Sequence, residues 1–332
     1  ELILKAEWLK VLSSLGAIFL TFLAGTEVNI DVIKNKSKEV LSVGLLGFLA
    51  PFIGCFLVAL LILKWNIKAS LITGIALSTT SVAVVYTVMY NYNLNQSDFG
   101  KGILASCFIN DLATVLALSL IFSPFNYKTL IFLFLCIISF IIIPKVSKFL
   151  INKYSNKGSA FRVKWIKFIL IILGAVALWS GNEPILPAYI MGMILSDTVT
   201  KDENFMKRLR SITIGILTPF YFIKAGFLLS IKVILSFPSL VIILLFSKVL
   251  SKIIGLYPIV KIFIKDKNKS WYYTMMMSTG LTFGTISALY GLTHNIINLN
   301  QYSLIVVSVI LSAIIPTLIA NSVFLPKFLF KK

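Results

Sequence analysis

A single aspartate stands near the middle of an apolar stretch that runs from residue 101 to 123. The other acidic residues of the chain lie in polar segments or within a turn or two of the end of an apolar stretch. A carboxylate at the centre of a bilayer costs about 2.5–3.5 kcal/mol on insertion scales. An asparagine or a serine would make an ordinary helix contact more cheaply. We therefore interpret Asp111 as an ion-binding or proton-binding group, in preference to a structural polar contact.

Three lysines also fall within apolar stretches and are candidate counter-charges to this carboxylate. Lys248 and Lys252 are four residues apart, which places them on one face of a helix, and Lys224 lies in the middle of another predicted span. Burial raises the pKa of a carboxyl group and lowers that of an ammonium group, whereas pairing does the reverse. A carboxylate with a lysine nearby can therefore couple cation binding to proton release. The alternative for Lys252 is a side chain that snorkels towards the cytoplasm.

Two clusters of hydroxyl and glycine residues interrupt apolar stretches near their midpoints. The first is Ser78-Thr-Thr-Ser81, and the second is Ser278-Thr-Gly-Leu-Thr282. Discontinuous helices with exposed carbonyl groups are a device by which transporters hold an ion at the midplane. The two stretches are the third and the tenth along the chain, so they are inverted relative to each other, as an inverted repeat requires. Ordinary helix interfaces rich in serine and threonine are the alternative.

Composition indicates that membrane-spanning helices position these residues. Hydrophobic residues make up 58% of the 332, charged residues make up 13%, and the mean hydropathy is +0.95. A soluble domain requires more charge than this to cover its surface. Apolar runs of spanning length recur from end to end. They predict eleven spans, at about 11–28, 40–63, 69–90, 101–123, 128–150, 165–180, 184–197, 211–230, 235–262, 271–293 and 302–326.

The net charge of +19 comes mainly from lysines between the apolar runs, which is typical of cytoplasmic loops and not of a surface that binds nucleic acid. When the loops are assigned alternately to the two sides, 22 Lys and Arg residues fall on one side, 6 on the other and 3 within spans. The positive-inside rule makes the richer side cytoplasmic. We therefore expect a multi-pass protein of the cell membrane with its N-terminus outside and its C-terminus in the cytoplasm. The connectors 152–164 and 198–210 are then cytoplasmic, and the second is predicted to form a short amphipathic helix.

Cysteine and histidine give no sign of a cofactor or a transition-metal site. Cys55, Cys107 and Cys136 all lie within apolar runs and lack the spacing of a metal site, which favours a packing role. The one histidine, His294, is interpreted as a loop residue at the end of a span.

The order of these features resembles the monovalent cation:proton antiporter-2 family, which contains the Kef-type and NapA-type exchangers. Four stretches carry the resemblance, and they are Phe19–Asp31, Ala76–Ala83, Phe108–Leu112 and Ser251–Gly255. In that order they resemble the family's FLxGLExD segment, its ALSxTS unwound helix, its paired polar motif and its K/R-x-x-G motif. The resemblance covers nearly the whole chain. It implies an all-α membrane protein with an inverted-repeat antiporter fold and two discontinuous helices that cross.

The resemblance also implies roles for particular residues. Asp111 is implied to bind the monovalent cation and the proton, Asn110 to be its structural or ligand neighbour, and Lys252 to be the basic partner that competes with the cation. Lys224 stands where the family usually has a neutral residue, so it is an alternative counter-charge, and Lys248 is a third basic candidate. The first crossing cluster is implied to shape the crossing point and to contribute to ion and proton binding, through Thr79, Thr80 and Ser81. The second cluster is implied to shape the crossing point, through Ser278, Thr279, Gly280 and Thr282.

The resemblance implies that residues 1–332 form the transmembrane domain of a cation/proton exchanger, and that the protein is not an enzyme. Its core is expected at about 40–123 and 235–326 and moves as an elevator, while the remaining spans form a dimerisation scaffold. The family usually has about thirteen spans, so the resemblance implies that the first two family helices are absent from the sequence before Glu1. The expected activity is exchange of Na⁺, favoured over K⁺, for H⁺ by a homodimer in a lipid bilayer. The alternatives are a sodium-coupled organic solute carrier, which requires more polar residues in its cavity, and a membrane-embedded transferase, which requires an acidic pair or a histidine near an interface.

We predict that cysteines placed in loops 145–164 and 198–210, in a chain whose natural cysteines are replaced by serine, resist a membrane-impermeant thiol reagent added outside intact cells. The physical reason is the concentration of basic residues in these loops. A cysteine placed in loop 64–68 is the control and should be labelled from outside. Ready labelling of the first two loops would contradict the predicted topology.

Overall fold

The chain folds almost entirely into helices. A computed structural model describes residues 7–26, 30–94, 97–122, 127–153, 158–182, 184–200 and 203–325. Within these ranges it contains α-helices, three π-helical turns and no β-strand. The α-helices are α1 (Glu7–Thr26), α2 (Ile30–Asn35), α3 (Ser37–Leu57), α4 (Ile67–Ser78), α5 (Val82–Asn91), α6 (Asp98–Phe122), α7 (Tyr127–Lys153), α8 (Gly158–Ser180), α9 (Ile185–Thr200), α10 (Glu203–Ile212), α11 (Thr218–Phe227), α12 (Ile231–Ser236), α13 (Pro238–Phe263), α14 (Lys267–Met277), α15 (Thr282–Thr293) and α16 (Leu299–Ile319). The π-helical turns are Val58–Ile62, Thr213–Leu217 and Ala320–Phe324.

Seven helical segments of the described chain are long and apolar enough to cross a membrane. They are Ser37–Ile62, Ile67–Asn91, Asp98–Phe122, Tyr127–Leu150, Arg162–Ser180, Pro238–Phe263 and Leu299–Phe324. Two shorter apolar helices are Val11–Thr26 and Ile185–Ser196. Together with the helices at 213–227 and 267–293, these segments coincide with the eleven predicted spans.

The connector predicted at 152–164 is shorter in the structure. α7 extends to Lys153 and α8 begins at Gly158, so most of the polar segment is helical. Lysine and arginine are good helix formers, and their polarity therefore does not end a helix. The amphipathic helix predicted within 198–210 is confirmed as α10, which buries Phe205 and Leu209.

The chain divides into two compact units. Unit 1 contains residues 1–28 and 119–227, and unit 2 contains residues 29–118 and 228–332. The mobile role predicted for a core at 40–123 and 235–326, and the dimerisation role predicted for the remaining spans, stay predictions.

Unit 1 is built around the contact between α1 and α9. A Cβ atom on Gly25 would meet the carbonyl oxygen of Tyr189, and a Cβ atom on Gly192 would meet that of Phe22. Glycine at both positions permits the two backbones to approach this closely, as is common for helices in membranes. Buried side chains from α1, α8, α9 and α10, with Leu217 of the following π-helical turn, complete the apolar core of this unit.

Unit 2 contains a similarly close contact between α3 and α13. A Cβ atom on Gly54 would meet the side chain of Ser251, and a Cβ atom on Gly255 would meet the Cβ atom of Ala50. Both contacts place the backbone of α3 directly against α13. Two of the three lysines of α13, Lys248 and Lys252, are fully buried.

Gly255→Ala is predicted to lower the melting temperature of the purified protein. The added methyl group meets the rigid Cβ atom of Ala50, and overpacking of this kind costs about 1–3 kcal/mol. Gly226→Ala in α11 is the matched control, because nothing lies within 4 Å of a Cβ atom built there. The control should be neutral or stabilised by up to about 1 kcal/mol, since alanine is the better helix former. Equal melting temperatures for wild type and Gly255→Ala would contradict the close packing.

Candidate functional site

Two helical spans of unit 2 are interrupted, and the interruptions contact each other. The extended segment 79–81 separates α4 from α5, and the segment 278–281 separates α14 from α15. We call these two stretches the crossing segments. The hydroxyl group of Thr80 donates to the carbonyl oxygen of Met277 at 3.1 Å, and the backbone N–H of Ser81 donates to the hydroxyl of Thr279 at 3.5 Å. The predicted interruption and crossing of these two spans are therefore confirmed.

The sequence explains why the helices stop at these places. Thr79 has an extended backbone, with ψ at 155°, and the Ser81 side chain accepts a hydrogen bond from the N–H of Val84 at the start of α5. Serine and threonine hydroxyl groups satisfy backbone groups at helix ends in this way. Gly280 is required by space, since a Cβ atom there would meet the ammonium nitrogen of Lys248 and lie 3.0 Å from the hydroxyl oxygen of Thr79.

Lys252 binds the carboxyl-terminal ends of both interrupted helices. Its Nζ atom donates to the carbonyl oxygen of Met277, to the carbonyl oxygen of Thr79 at 3.3 Å and to the hydroxyl oxygen of Thr80 at 2.9 Å. The end of a helix at its last carbonyl groups carries a partial negative charge. An ammonium group placed between two such ends offsets both, and its three donors meet three acceptors.

Asp111 and Asn110 lie on α6 and are buried to 1% and 0% exposure. The Asn110 amide donates to the carbonyl oxygen of Ser78 at 3.4 Å, which brings α6 against the end of α4. One side-chain oxygen of each residue, Oδ1 in both, is buried and has no hydrogen-bond partner in the described chain. Unpaired buried oxygen atoms beside unwound backbone are the ligands that transporters offer to a monovalent cation. The predicted burial of Asp111 is thus observed, whereas its role as a ligand stays a prediction.

Asp111 and Lys252 attract each other without direct contact. The two charges interact electrostatically, but no ion pair within 4.0 Å joins them. The ion pair of this unit that the structure describes joins Lys36 and Glu39, at 4.0 Å, and involves neither residue. Asp111 is therefore not neutralised by a bound lysine, and its Oδ1 atom remains available to a small cation.

The other buried lysine of α13, Lys248, has a different environment. Lys248 lies one helical turn before Lys252 and is also fully buried, yet its Nζ atom has no hydrogen-bond partner in the part of the chain that the structure describes. The Nζ atom packs against Gly280 in a crossing segment. The spacing of Lys248 and Lys252 predicts that they share a face of the helix. It does not reveal that only Lys252 donates hydrogen bonds to the crossing segments and to Met277.

The structure adds residues that the sequence interpretation missed. The backbone of Met277 accepts hydrogen bonds from Thr80 and Lys252, and its sulfur atom lies 3.5 Å from the sulfur of Cys107 on α6. On α16, the hydroxyl group of Ser312 donates to the carbonyl oxygen of Gly280 at 3.4 Å. The signal that could have identified Ser312 is its spacing of four residues from Ser308, which marks one polar face in an otherwise apolar span.

Two predicted residues lie differently from expectation. Lys224 was predicted in the middle of a span, but it lies in the last turn of α11, in unit 1, where the helix ends at Phe227. A cation at that position is stabilised by the helix's own carboxyl-terminal carbonyl groups.

Thr282 is the first residue of α15, and its carbonyl oxygen accepts a hydrogen bond from Thr285. The remaining crossing residue, Ser278, is the C-cap of α14 and donates to the carbonyl oxygen of Thr274 at 2.8 Å.

Two interrupted helices that cross beside a buried carboxylate define a secondary transporter of the crossed-helix type. The family model described as "Sodium/hydrogen exchanger, transmembrane" matches residues 1–324, and the chain belongs to this family. This membership excludes the predicted alternatives of an organic solute carrier and a transferase. The finer assignment to the Kef-type and NapA-type branch is not confirmed by the match.

Similar proteins agree with the family. The chain is 28% identical to a probable Na⁺/H⁺ antiporter of Methanocaldococcus jannaschii over 97% of its own length and 85% of that protein. It is 26% identical to a Na⁺/H⁺ antiporter of Enterococcus hirae, over 92% of its own length and 82% of the relative. The solved structure of the sodium proton antiporter MjNhaP1 of M. jannaschii matches 94% of the chain and 85% of that protein, with a TM-score of 0.64 and 13% identity. At this identity the structural match establishes the fold.

Lys252→Met is predicted to lower the melting temperature of the purified protein. The substitution removes the donor from two backbone carbonyl groups and one hydroxyl group, and a hydrogen bond to a charged group contributes about 1.5–3 kcal/mol. Lys261→Met is the matched control, since Lys261 lies on the same helix and is exposed. A Lys252→Met protein that melts at or above the wild-type temperature would show that this ammonium group does not hold the crossing together.

Proposed function

We propose that this chain exchanges Na⁺ for H⁺ across a membrane, and that Asp111 binds the two ions alternately. The observation that carries the proposal is the pair of buried, unpartnered oxygen atoms on Asp111 and Asn110 beside the crossing segments. The Asn110 amide nitrogen is already bound to the end of α4, so its Oδ1 atom is held close to the crossing.

Competition between the two ions follows from the cost of a buried charge. A carboxylate in an apolar environment is stable only when it is paired, coordinated or protonated. A sodium ion and a proton each satisfy the charge of Asp111, and one carboxylate cannot hold both at full strength. The positive charge of Lys252 lies close enough to interact with Asp111 and also repels the cation, which keeps cation binding reversible.

Sodium is the cation named in the descriptions of the relatives reported above. The two relatives described above and the structural neighbour are all named for exchange of sodium and protons. We propose that the present chain likewise exchanges Na⁺, in preference to K⁺. Membership of the Kef-type and NapA-type branch remains part of the proposal, and its support is the sequence resemblance of the segments 76–83, 108–112 and 251–255.

Alternating access completes the proposal. Unit 2 contains all of the residues of the candidate site, which lets it carry the ion as one body in an elevator movement. We propose that the exchanger works as a homodimer in the cell membrane with its C-terminus in the cytoplasm. The basic residues of the predicted inner loops support this orientation.

Asp111→Asn is predicted to abolish Na⁺/H⁺ exchange in both directions in proteoliposomes, because it preserves the size of the side chain and removes the charge that both ions need. The measurement is Na⁺-dependent proton flux, followed with a pH-sensitive dye, in a series that also includes K⁺ and Li⁺.

Asp98→Asn is the control for this experiment, because Asp98 lies at the start of the same helix and is exposed. It should retain the wild-type rate. Exchange by Asp111→Asn at a near wild-type rate would disprove the single-carboxylate mechanism.

A further inference from the structure

Two sulfur atoms from different helices meet beside the candidate site. The thiol of Cys107 on α6 donates to the Sδ atom of Met277 on α14 at 3.5 Å, and both residues are fully buried. The two residues are 170 positions apart in the chain, so the spacing of cysteines in the sequence could not reveal the pair. The proposed exchange of ions uses neither sulfur atom.

The sulfur pair lies one helical turn from the buried carboxylate. Cys107 precedes Asp111 by four residues on α6, which places the two on one face of the helix, and the two side chains interact electrostatically. A Cβ atom on Gly47 of α3 would lie 3.2 Å from the methyl carbon of Met277 and 3.2 Å from the amide nitrogen of Asn110. The two sulfur atoms and the candidate site therefore share one small buried region of unit 2.

The two sulfur atoms suit a soft cation of single charge. Thiolate and thioether sulfur are soft ligands, which select Cu⁺ over hard cations, and Ag⁺ is a still softer ion of the same charge. Because the thiol hydrogen points at the thioether, a cation that replaced this hydrogen would find both ligands directed at it. Methionine has three rotatable side-chain bonds, so its sulfur can move to admit the larger ion.

A zinc site does not fit this place. Structural zinc takes four ligands from cysteine, histidine and carboxylate side chains. Among the residues that the structure describes, no three side chains of these kinds lie close enough together to hold a metal ion. The pair of sulfur atoms is therefore matched to an ion that accepts few ligands.

We propose that Cys107 and Met277 form a binding site for a soft monovalent cation, Ag⁺ or Cu⁺, and that a cation bound there blocks exchange. When the cation binds, the S–H bond of Cys107 breaks, and its electron pair stays on the sulfur and forms the bond to the metal. The proton passes to water, and a lone pair of the Met277 sulfur completes the coordination. Neither the metal nor the sulfur changes its oxidation state.

The thiol also supplies the negative charge that a buried cation needs. An uncompensated cation in an apolar region costs much free energy. Here the cation takes the place of the thiol proton, so the net charge of the region is the same before and after binding. Asp111 is therefore not required as a ligand of the soft cation.

The position of the metal explains why exchange should stop. Met277 is the last residue of α14, and the crossing segment 278–281 follows it directly. A metal that joins Cys107 to Met277 ties α6 to the interrupted end of α14 beside Asp111. The helices around the carboxylate are then held in one arrangement, and Na⁺ and H⁺ cannot alternate there. The block of exchange rests on the proposed function of Asp111, whereas binding of the soft cation does not.

The test uses the full chain with Cys55→Ala and Cys136→Ala, a parent protein in which Cys107 is the remaining thiol. Silver nitrate is titrated into the purified parent in chloride-free detergent buffer, and the affinity for Ag⁺ is measured by competition with a chelator. The parent should bind one Ag⁺ tightly per chain. X-ray absorption at the silver edge should show two sulfur neighbours.

Substitutions in this parent separate the two ligands. Met277→Leu should bind Ag⁺ at least about tenfold more weakly, since loss of even an outer-shell partner costs a metal site about 10- to 100-fold in affinity. Met276→Leu, at the neighbouring buried methionine, is the matched control and should bind as the parent does. Cys107→Ser should lose tight binding. Met277→Ile and Cys107→Ala replace the first and last variants if these do not melt cooperatively.

Two results in detergent would overturn the inference. One is a parent protein that binds no Ag⁺. The other is a Met277→Leu protein that binds Ag⁺ as tightly as Met276→Leu does, because the thioether would then not be a ligand.

The block is measured in proteoliposomes in chloride-free medium, as the rate of Na⁺/H⁺ exchange with Ag⁺ relative to the rate of the same variant without it. The parent should lose exchange at about one Ag⁺ per chain, whereas Cys107→Ser should keep its own rate. Undiminished exchange by the parent with Ag⁺ bound would overturn the block. If Asp111→Asn in the parent exchanges at the parent's rate, the proposed function is wrong, and the binding measurements in detergent still decide whether the site exists.

Discussion

The ammonium group of Lys252, bound between the ends of two interrupted helices, is the interaction on which the architecture of unit 2 depends. Helices that stop inside an apolar layer leave carbonyl groups that water cannot reach. Lys252 supplies donors to the carbonyl oxygens of Met277 and Thr79. To place its nitrogen there, α13 must lie against the crossing, and the close contact of its Gly255 with α3 is consistent with that position. The fold and the site are therefore set by the same few atoms.

Much of this arrangement could be predicted from the sequence because it depends on hydrophobicity and on local chemistry. The spans follow from apolar runs, the interruptions follow from the clusters at 78–81 and 278–282, and the burial of Asp111 follows from its solitary position. Contacts between segments that are distant in the sequence could not be predicted in the same way. The sequence indicates that a lysine faces the core, but the length and freedom of its side chain leave open which carbonyl it reaches.

The misplacement of Lys224 has a definite cause. The apolar run 211–230 reads as one span, yet the chain forms a π-helical turn at Thr213–Leu217, ends α11 at Phe227 and continues as α12. Hydropathy identifies an apolar stretch, but it does not predict where the helices within that stretch begin and end. Ser312 was overlooked for a different reason, since serine hydroxyl groups in an apolar span are ordinary helix contacts until a backbone carbonyl group that needs a donor is seen to lie opposite one of them.

The contact between Gly280 and Lys248 links two positions that are far apart in the chain. A side chain at position 280 would occupy the place of the Lys248 ammonium group, so the lysine would have to turn away from the crossing segments. Among natural variants of this chain, a residue larger than glycine at 280 should therefore occur together with a shorter or differently oriented residue at 248.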